Sequence, residues 1–289
     1  MKTESTRFTV GSIECLALAD GTFPYSANAL FVNAPPERAT QVIHDHNLQP
    51  DEIWLSYTGL VIHTGQQRIL VDTGIGAGVA PSAGALLQNL QAAGLTPEDI
   101  DTVILTHGHP DHIGGNVDSA GKPMFPKARY VMWKSDWDFW TAETTLAKLA
   151  AGQMYGGDWD PVIGTWVGNN LGPIQSQLDL IDRETEIGPG VHVIAAPGHT
   201  PGHSALVIAS GSEQVLHIAD TVLHPIHLAQ PDWYPIFDLQ REQAAATRRN
   251  LLDRAAAEKA RVLAYHFPFP SLGYIKQKGR GWQWEQVAP

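Results

Sequence analysis

A cluster of histidine and aspartate residues follows a short apolar run in the first half of the chain. The motif His107-Gly-His109-Pro-Asp111-His112 places three imidazoles and one carboxylate within six residues. Alternation along an extended chain points His107 and His109 to the same side. Asp111 can follow them, whereas His112 is out of phase and can turn to a second site. Neutral imidazoles and carboxylates bind zinc and its first-row neighbours, so the motif predicts a metal site at a strand end.

Three further candidate ligands lie much later in the chain. His199, Asp220 and His266 each follow directly after a strand-like run. With the first motif, they place seven candidate ligands at the ends of four predicted strands, which can converge on one edge of a sandwich. Two metals need about this many ligands if a carboxylate bridges them and a water completes the shell. The spacing therefore predicts a two-metal site.

The elements that must position these residues alternate between strands and helices. Short β-branched runs predict the following strands: Thr58–His63, Arg68–Asp72, Asp101–Thr106, Ala128–Trp133, Val191–Ala195, Ser204–Ile208, Gln214–Ile218 and Arg261–Tyr265. The turn-like segment Gly65-Gln-Gln67 predicts a hairpin between the first two. Helices are expected over Ala85–Ala93 and Gln240–Lys259, the second with Asp238 as its N-cap. Because the regular βαβ rhythm is missing, an α/β layered sandwich is expected.

Composition narrows the class of partner. The chain has 289 residues and a formal net charge of −11, which disfavours a nucleic-acid partner. Its single cysteine, Cys15, excludes an internal disulfide framework and a zinc site of several cysteines. With no convincing linker, membrane span or signal peptide legible, we expect one domain over residues 1–289 and a cytoplasmic location, with a processed exported form as the alternative.

The pattern His-x-His-x-Asp-His, followed by separate His, Asp and His residues, resembles the metallo-β-lactamase fold superfamily in its di-metal hydrolase branch. The resemblance covers roughly Thr58 to Phe269. It implies a four-layer αββα sandwich with the site along one edge of the paired sheets. By this resemblance His107, His109 and His199 would bind one metal, Asp111, His112 and His266 would bind the other, and Asp220 would bridge them.

The resemblance also implies roles for residues beside the ligands. Asp111 would orient the nucleophile or accept its proton, as the catalytic carboxylate. Asp72 would orient a ligand, although a simple turn residue before Gly74 is an equal alternative. His203 is either an orienting residue for the His199 loop or a packed core histidine.

Aromatic and apolar residues near the ligands are candidates for the substrate pocket. Trp140, Leu223 and Phe267 are predicted to line it. For the aromatic segment Trp133–Trp140, ordinary core packing is the favoured alternative. Elsewhere, His44 and His46 are expected on the surface, and Arg248, Arg249 and Arg254 on the solvated face of the second helix.

Departures from the family pattern narrow the substrate. β-Lactamases of this fold carry a cysteine at the position of Asp220, and homoserine lactonases typically carry a tyrosine at that of Leu223. The closest subgroup resemblance is to methyl parathion hydrolase-like enzymes and their lactonase and arylesterase relatives. It implies a small-molecule substrate: a hydroxide held between two metals would cleave lactones, aryl esters or organophosphate triesters, with N-acyl-homoserine lactonase as the alternative.

The cofactor and the assembly follow from the same resemblance. We expect two divalent metal ions, with zinc favoured and manganese, cobalt or iron also suited to these ligands. Relatives are often dimers, so a homodimer is expected. A non-catalytic metal-binding protein and an oxidation at a single iron are the remaining alternatives, although structural zinc sites are closed and seven ligands favour two metals.

Overall fold

The computed structural model describes residues 4–156 and 159–287. Within these residues the strands form two sheets of seven. The first sheet contains, in spatial order, β1 (Ser5–Val10), β2 (Ile13–Tyr25), β3 (Ile53–His63), β4 (Arg68–Val71), β5 (Thr102–Leu105), β6 (Arg129–Trp133) and β7 (Leu178–Ile181). The second contains β8 (Thr185–Gly188), β9 (Val191–Ala195), β10 (Ser204–Ser210), β11 (Glu213–His217), β12 (Arg261–Leu263), β13 (Leu272–Lys278) and β14 (Gly281–Gln286).

Helices cover the outer faces of both sheets. They are α1 (Ala27–Leu30), α2 (Pro36–Asp45), α3 (Leu86–Ala92), α4 (Pro110–Ile113), α5 (Lys134–Thr141), α6 (Glu143–Ala150), α7 (Trp159–Leu171), α8 (Ile226–Ala229) and α9 (Arg241–Glu258). Short 3₁₀ turns occur at Pro97–Asp99, Gly172–Gln177 and Ala219–Thr221. Among the helices in the described part of the chain, none has the length and apolarity that a membrane crossing requires.

Three apolar layers hold the sandwich together. Between the sheets, side chains such as Val71 and Ile104 of the first pack with Val193 and Leu263 of the second. A larger core joins the outer face of the first sheet to its helices, and another joins the second sheet to α8 and α9. Each sheet thus buries one face on the other sheet and one on helices, which confirms the predicted four-layer αββα fold.

The predicted strands are present, with shifted ends. β3 and β4 form the expected antiparallel hairpin, with His63 opposite Arg68. β3 begins at Ile53, five residues earlier than predicted from Thr58. The sequence pattern did not identify β1, β2, β7, β8, β13 and β14. In the β13–β14 hairpin polar residues such as Lys276 and Gln283 interrupt any continuous apolar run, because one face is exposed at the sheet edge.

The last helix corrects two predictions. α9 begins at Arg241 without a side-chain cap, so Asp238 is not its N-cap. The Arg248 side chain is buried rather than solvated, being only 1% exposed. Both errors have the same cause: Asp238 and Arg248 pair with each other 2.8 Å apart, beneath the predicted metal site.

Candidate metal centre

The seven predicted ligands lie at one edge of the sandwich, where four strands end. His107 and His109 follow β5, and His199 follows β9. Asp220 lies in the 3₁₀ turn after β11, and His266 follows β12. β11 and β12 are parallel, and the antiparallel β9–β10–β11 order gives β9 the same direction, so these three strands end on the same side.

Alternation predicts side-chain direction only as far as His109. Pro110 begins the single turn of α4, with His109 as its N-cap residue, and Asp111 and His112 lie within that turn. Asp111 therefore does not follow His107 and His109, as an extended chain would allow. Pro110 suits the first helical position, so a helical turn starts there. This turn brings Asp111 into the same ligand group as His112.

Within the described residues, the ligand atoms form two groups that share Asp220. The three-histidine group contains His107, His109, His199 and Asp220. The Asp111 group contains Asp111, His112, His266 and Asp220. In each group the ligand atoms lie within 4.8 Å of one another, and all but Asp111 belong to buried residues.

In the three-histidine group, nitrogen atoms face one another. His109 Nδ1 lies 2.9 Å from both His107 Nε2 and His199 Nε2. Outer hydrogen bonds assign the tautomers: His107 Nδ1 lies 3.1 Å from Thr106 Oγ1, and His199 Nδ1 lies 2.9 Å from the Asp238 carboxylate. If those nitrogens carry the protons, the inner nitrogens are unprotonated and their lone pairs converge.

The histidines of the Asp111 group are oriented in the same way. His112 Nδ1 lies 2.8 Å from Asp72 Oδ2, and His266 Nδ1 lies 3.1 Å from the Ser56 carbonyl oxygen. Both Nε2 atoms therefore face the site. His266 Nε2 lies 3.5 Å from Asp111 Oδ2, and His112 Nε2 lies 3.7 Å from the same oxygen.

Asp220 lies between the two groups. Its Oδ2 is 3.3 Å from His199 Nε2 and 3.0 Å from His266 Nε2, and its Oδ1 is 3.1 Å from His112 Nε2. Burial alone would raise the pKa of this carboxyl, but the surrounding histidines, His112 first, hold it well below its usual value. Asp220 is therefore an ionised carboxylate in contact with both groups.

These features fit a pair of cations. His112 Nε2 and Asp220 Oδ1 are buried and make no hydrogen bond of acceptable geometry with any described residue. Burial, followed by repulsion from neighbouring imidazoles, lowers the pKa of His107 and His109 well below the usual value, so both are neutral. The neutral His107 and His109, beside the ionised Asp220 carboxylate, are donors that suit a dinuclear metal site.

Asp72 and His203 support the ligands from outside. Asp72 Oδ1 accepts the Thr106 backbone N–H at 2.8 Å, and its Oδ2 contacts His112. The geometry therefore favours an orienting role over a simple turn residue. His203 Nδ1 contacts the Ala196 carbonyl oxygen at 2.8 Å and its Nε2 accepts the Asp220 backbone N–H at 3.0 Å. It closes the loop that carries His199 and fixes the backbone of Asp220.

Asp136, which the sequence reasoning did not identify, joins the two loops of the three-histidine group. Its buried carboxylate accepts the backbone N–H of Gly108 at 2.9 Å and that of Gly202 at 3.0 Å. It also accepts the Trp140 indole N–H at 2.7 Å and the Thr200 hydroxyl. Burial raises the pKa of Asp136 to about 6, against these hydrogen bonds. One side chain of α5 thus fixes both loops.

A second buried network lies behind His199. Asp238 contacts His199 Nδ1 through Oδ1 and accepts from Arg248 through Oδ2 at 2.8 Å. The Arg248 guanidinium also donates to the carbonyl oxygens of Thr221, Pro231 and Trp233. Tyr155 completes the support, with its hydroxyl 2.9 Å from His109 Nε2. No local motif marks these residues, because their partners lie far away in sequence.

A cavity of about 320 Å³ opens onto the site. His109, Asp111, His199, Asp220 and His266 line its floor. Its walls are apolar and aromatic, and include Phe23, Ile75, Val79, Trp159, Val162, Ile163, Trp166, Leu223 and Phe237. The polar exceptions on the wall are Tyr25 and Tyr57, which are hydrogen-bonded to each other at 2.6 Å.

The cavity corrects two of the three predicted pocket residues. Leu223 lines the cavity, and its contact with substrate stays a prediction. Trp140 is fully buried beneath the His107–His109 turn, with its ring centroid 5.2 Å from that of His109, and does not line the cavity. Phe267 packs into the core of the second sheet, 4.9 Å from the Trp284 ring. Adjacency to a ligand in sequence therefore did not place either ring on the cavity side.

The fold and this site define the class of protein. Residues 53–266 match the family model of the metallo-beta-lactamase superfamily, and the chain belongs to that superfamily. It is a metal-dependent hydrolase by family and contains a dinuclear site by the geometry of its two ligand groups.

Two relatives match half or more of the chain. A probable metallo-hydrolase of Mycobacterium tuberculosis is 27% identical over 236 residues, covering 72% of this chain and 69% of the relative. An N-acyl homoserine lactonase of a Bacillus species is 24% identical over 168 residues, covering 51% of this chain and 56% of the relative.

Two solved structures are similar over nearly the whole chain. One is AidC, a dizinc quorum-quenching lactonase in complex with the product N-hexanoyl-L-homoserine, which is 29% identical with a TM-score of 0.88 and covers 98% of this chain and 97% of its own. The other is the hydrolase AbOPH, which is 26% identical with a TM-score of 0.90 and covers 100% of this chain and 99% of its own. This chain is therefore similar over nearly its whole length to one lactonase and to one further hydrolase.

Proposed function

We propose that this chain hydrolyses lactones that carry an apolar substituent. The observation that carries the proposal is the apolar cavity, which opens directly onto both ligand groups. A ring ester could place its polar end against the floor and its hydrophobic substituent along walls such as Trp159 and Phe237. The similarity to two proteins named as homoserine lactonases supports the same reaction.

The ligands divide between two metal positions in this proposal. His107, His109 and His199 hold one metal, Asp111, His112 and His266 hold the other, and Asp220 contacts both. When bound, such a pair supplies an acidified water and a Lewis acid for the substrate oxygen. The Asp111 side chain is 12% exposed, the most accessible carboxylate of the groups, so it can orient the attacking water and accept its proton.

A second candidate is the cleavage of aryl esters and organophosphate triesters, as in methyl parathion hydrolase-like enzymes. The aromatic wall favours it, because Tyr25 and Trp159 stack with centroids 5.7 Å apart and Phe237 meets Trp159 edge-on at 5.2 Å. Such a wall accepts a flat aryl group as readily as an acyl chain. Leu223 favours it as well, since no tyrosine is present at that position.

A substrate panel on metal-analysed protein tests both candidates. N-hexanoyl-L-homoserine lactone, dihydrocoumarin, phenyl acetate and paraoxon are compared by kcat/KM. We expect both lactones to be cleaved faster than phenyl acetate and paraoxon. A preference for phenyl acetate or paraoxon would replace the proposal with the second candidate. Chelation should abolish turnover and metal add-back should restore it, whereas activity that ignores the metal would contradict the proposed mechanism.

The metal and the assembly complete the proposal. Zinc suits the nitrogen and oxygen donors, and AidC is described as a dizinc enzyme. Elemental analysis of protein purified without added metal should find two zinc ions per chain. Light scattering on the same sample should give the mass of a homodimer, and a monomer would contradict that part of the proposal.

A further inference from the structure

Two tyrosines form a hydrogen-bonded pair in the cavity wall. Tyr25 ends β2, and Tyr57 lies on the neighbouring strand β3. Their hydroxyl oxygens are 2.6 Å apart, and both side chains are buried while lining the cavity. Neighbouring wall positions are apolar, so the pair is a polar spot on a hydrophobic surface.

Counting protons shows that the pair has an unused donor. Each phenol carries one O–H proton, and one hydrogen bond between two hydroxyls uses only one of the two. Neither hydroxyl donates to any other described residue, as their mutual contact is the hydrogen bond that the structure gives them. A buried donor without a partner is costly, so the second proton needs an acceptor in the cavity.

The pair lies beside the Asp111 group. The Tyr57 ring centroid is 5.4 Å from that of His266, in an edge-on contact. The preceding residue, Ser56, accepts from His266 Nδ1 at 3.1 Å and donates its backbone N–H to the His266 carbonyl oxygen at 3.3 Å. Strand β3 thus holds Tyr57 in a fixed position relative to one of the two ligand groups.

We propose that the Tyr25–Tyr57 pair donates its free proton to the leaving oxygen of the bound ester. This inference rests on the proposed function and adds an acid on the cavity wall to the base that Asp111 supplies. The attacking water forms a bond to the acyl carbon, and the bond from that carbon to the leaving oxygen breaks. The pair gives the leaving oxygen a proton, and Asp111 takes the proton that the water loses and returns one to the pair. One water is consumed, and a lactone becomes a hydroxy acid.

The double variant Tyr25→Phe/Tyr57→Phe carries the test, because either single variant keeps one hydroxyl free to donate. kcat/KM is measured for a series of acetate esters whose leaving groups range from alkyl alcohols to 4-nitrophenol. We expect a loss of about 100-fold for alkyl leaving groups, as removal of general acid catalysis costs. The loss should shrink to about 2-fold for 4-nitrophenyl acetate, whose leaving oxygen needs little protonation.

Tyr130→Phe is the matched control. The Tyr130 hydroxyl is buried and donates to the Asn116 carbonyl oxygen at 3.3 Å, and the residue does not line the cavity. This variant should leave the dependence on the leaving group unchanged. If kcat/KM in the double variant fell equally for every leaving group, or did not fall, the proposal would be overturned. A merely structural role would affect all leaving groups alike.

Binding of the product gives a second readout that does not need turnover. Calorimetry with N-hexanoyl-L-homoserine, whose hydroxyl is the former leaving oxygen, should show about 10-fold weaker binding to the double variant, equivalent to one lost hydrogen bond. Equal binding by both proteins would count against the pair. If the unmodified protein cleaves no ester or lactone, the proposed function fails; if it cleaves them with an unchanged leaving-group dependence in the double variant, only the pair fails.

Discussion

The two ligand groups that share Asp220 are supported in different ways. The three-histidine group is backed by two buried carboxylates, with Asp136 joining its two loops and Asp238 contacting His199. The Asp111 group has one buried carboxylate, Asp72, and the backbone carbonyl of Ser56 behind it, and its Asp111 carboxylate reaches the cavity. The difference indicates that one group is built for rigidity, while the other keeps a carboxylate accessible to substrate and water.

Replacing Asp220 should have the largest effect, because it breaks both groups at once. In Asp220→Ala the converging histidines lose the ionised carboxylate between them. We expect activity to fall further than the roughly 10–100-fold typical of losing an outer partner of a metal ligand. Bound metal, measured by elemental analysis, should fall below two ions per chain.

Asp253→Ala is the control for that variant, since Asp253 is an exposed carboxylate on α9. It should keep both its metal content and its activity. If the Asp220→Ala protein retained two metals and most of its turnover, neither ligand group would depend on the carboxylate that they share. The two groups could then not be compared as halves of one site.

Arg248→Met should have the next largest effect. It tests the support of the three-histidine group through the stability of the protein. It leaves the buried Asp238 carboxylate without its 2.8 Å partner, and breaking a buried pair from one side costs about 3–5 kcal/mol. The free energy of unfolding, from denaturant titration, should fall by that amount. Arg249→Met, on the next residue of the helix, removes an exposed pair with Asp232 and should change it by about 0.5 kcal/mol or less. Equal effects of the two variants would contradict the buried network.

The residues that the sequence predicted as ligands are brought together by the fold, because they form a dense motif or follow directly after a strand. The layered fold followed from the same strand pattern and from the family resemblance. The supports could not be predicted, because Asp136 and Arg248 act across 28 and 10 residues of chain on partners that only the fold brings near. Arg248 lies on an alanine-rich helix whose pattern gives no sign of a buried cation, so the solvated interpretation was wrong.

Asp136→Asn and Asp72→Asn compare the two groups directly. Each amide keeps the shape of the carboxylate but replaces one acceptor oxygen with a donor, so the N–H groups that donate to that oxygen lose their acceptor. We expect each to weaken metal binding by about 10–100-fold. The loss should fall on the three-histidine position in Asp136→Asn and on the Asp111 position in Asp72→Asn.

Stepwise titration with cobalt, followed by absorption spectroscopy, separates the two positions. One binding step should weaken in each variant while the other stays within about 3-fold of the unmodified protein. If both steps weaken equally in both variants, the groups respond as a single unit and the supports are not specific to either.

Trp140→Phe should have the smallest effect, because it removes one of four donors to Asp136 while keeping an aromatic ring under Gly108. Losing a single hydrogen bond costs about 1 kcal/mol of unfolding free energy. Because Trp140 does not line the cavity, the KM for lactones should depend on acyl-chain length in the same way as in the unmodified protein. Leu223→Ala is the matched change on the cavity wall, and should raise KM most for long chains, since it removes apolar contact area. If KM changed with chain length in Trp140→Phe and not in Leu223→Ala, Trp140 rather than Leu223 would contact the substrate, and its hydrogen bond to Asp136 would not be its main role.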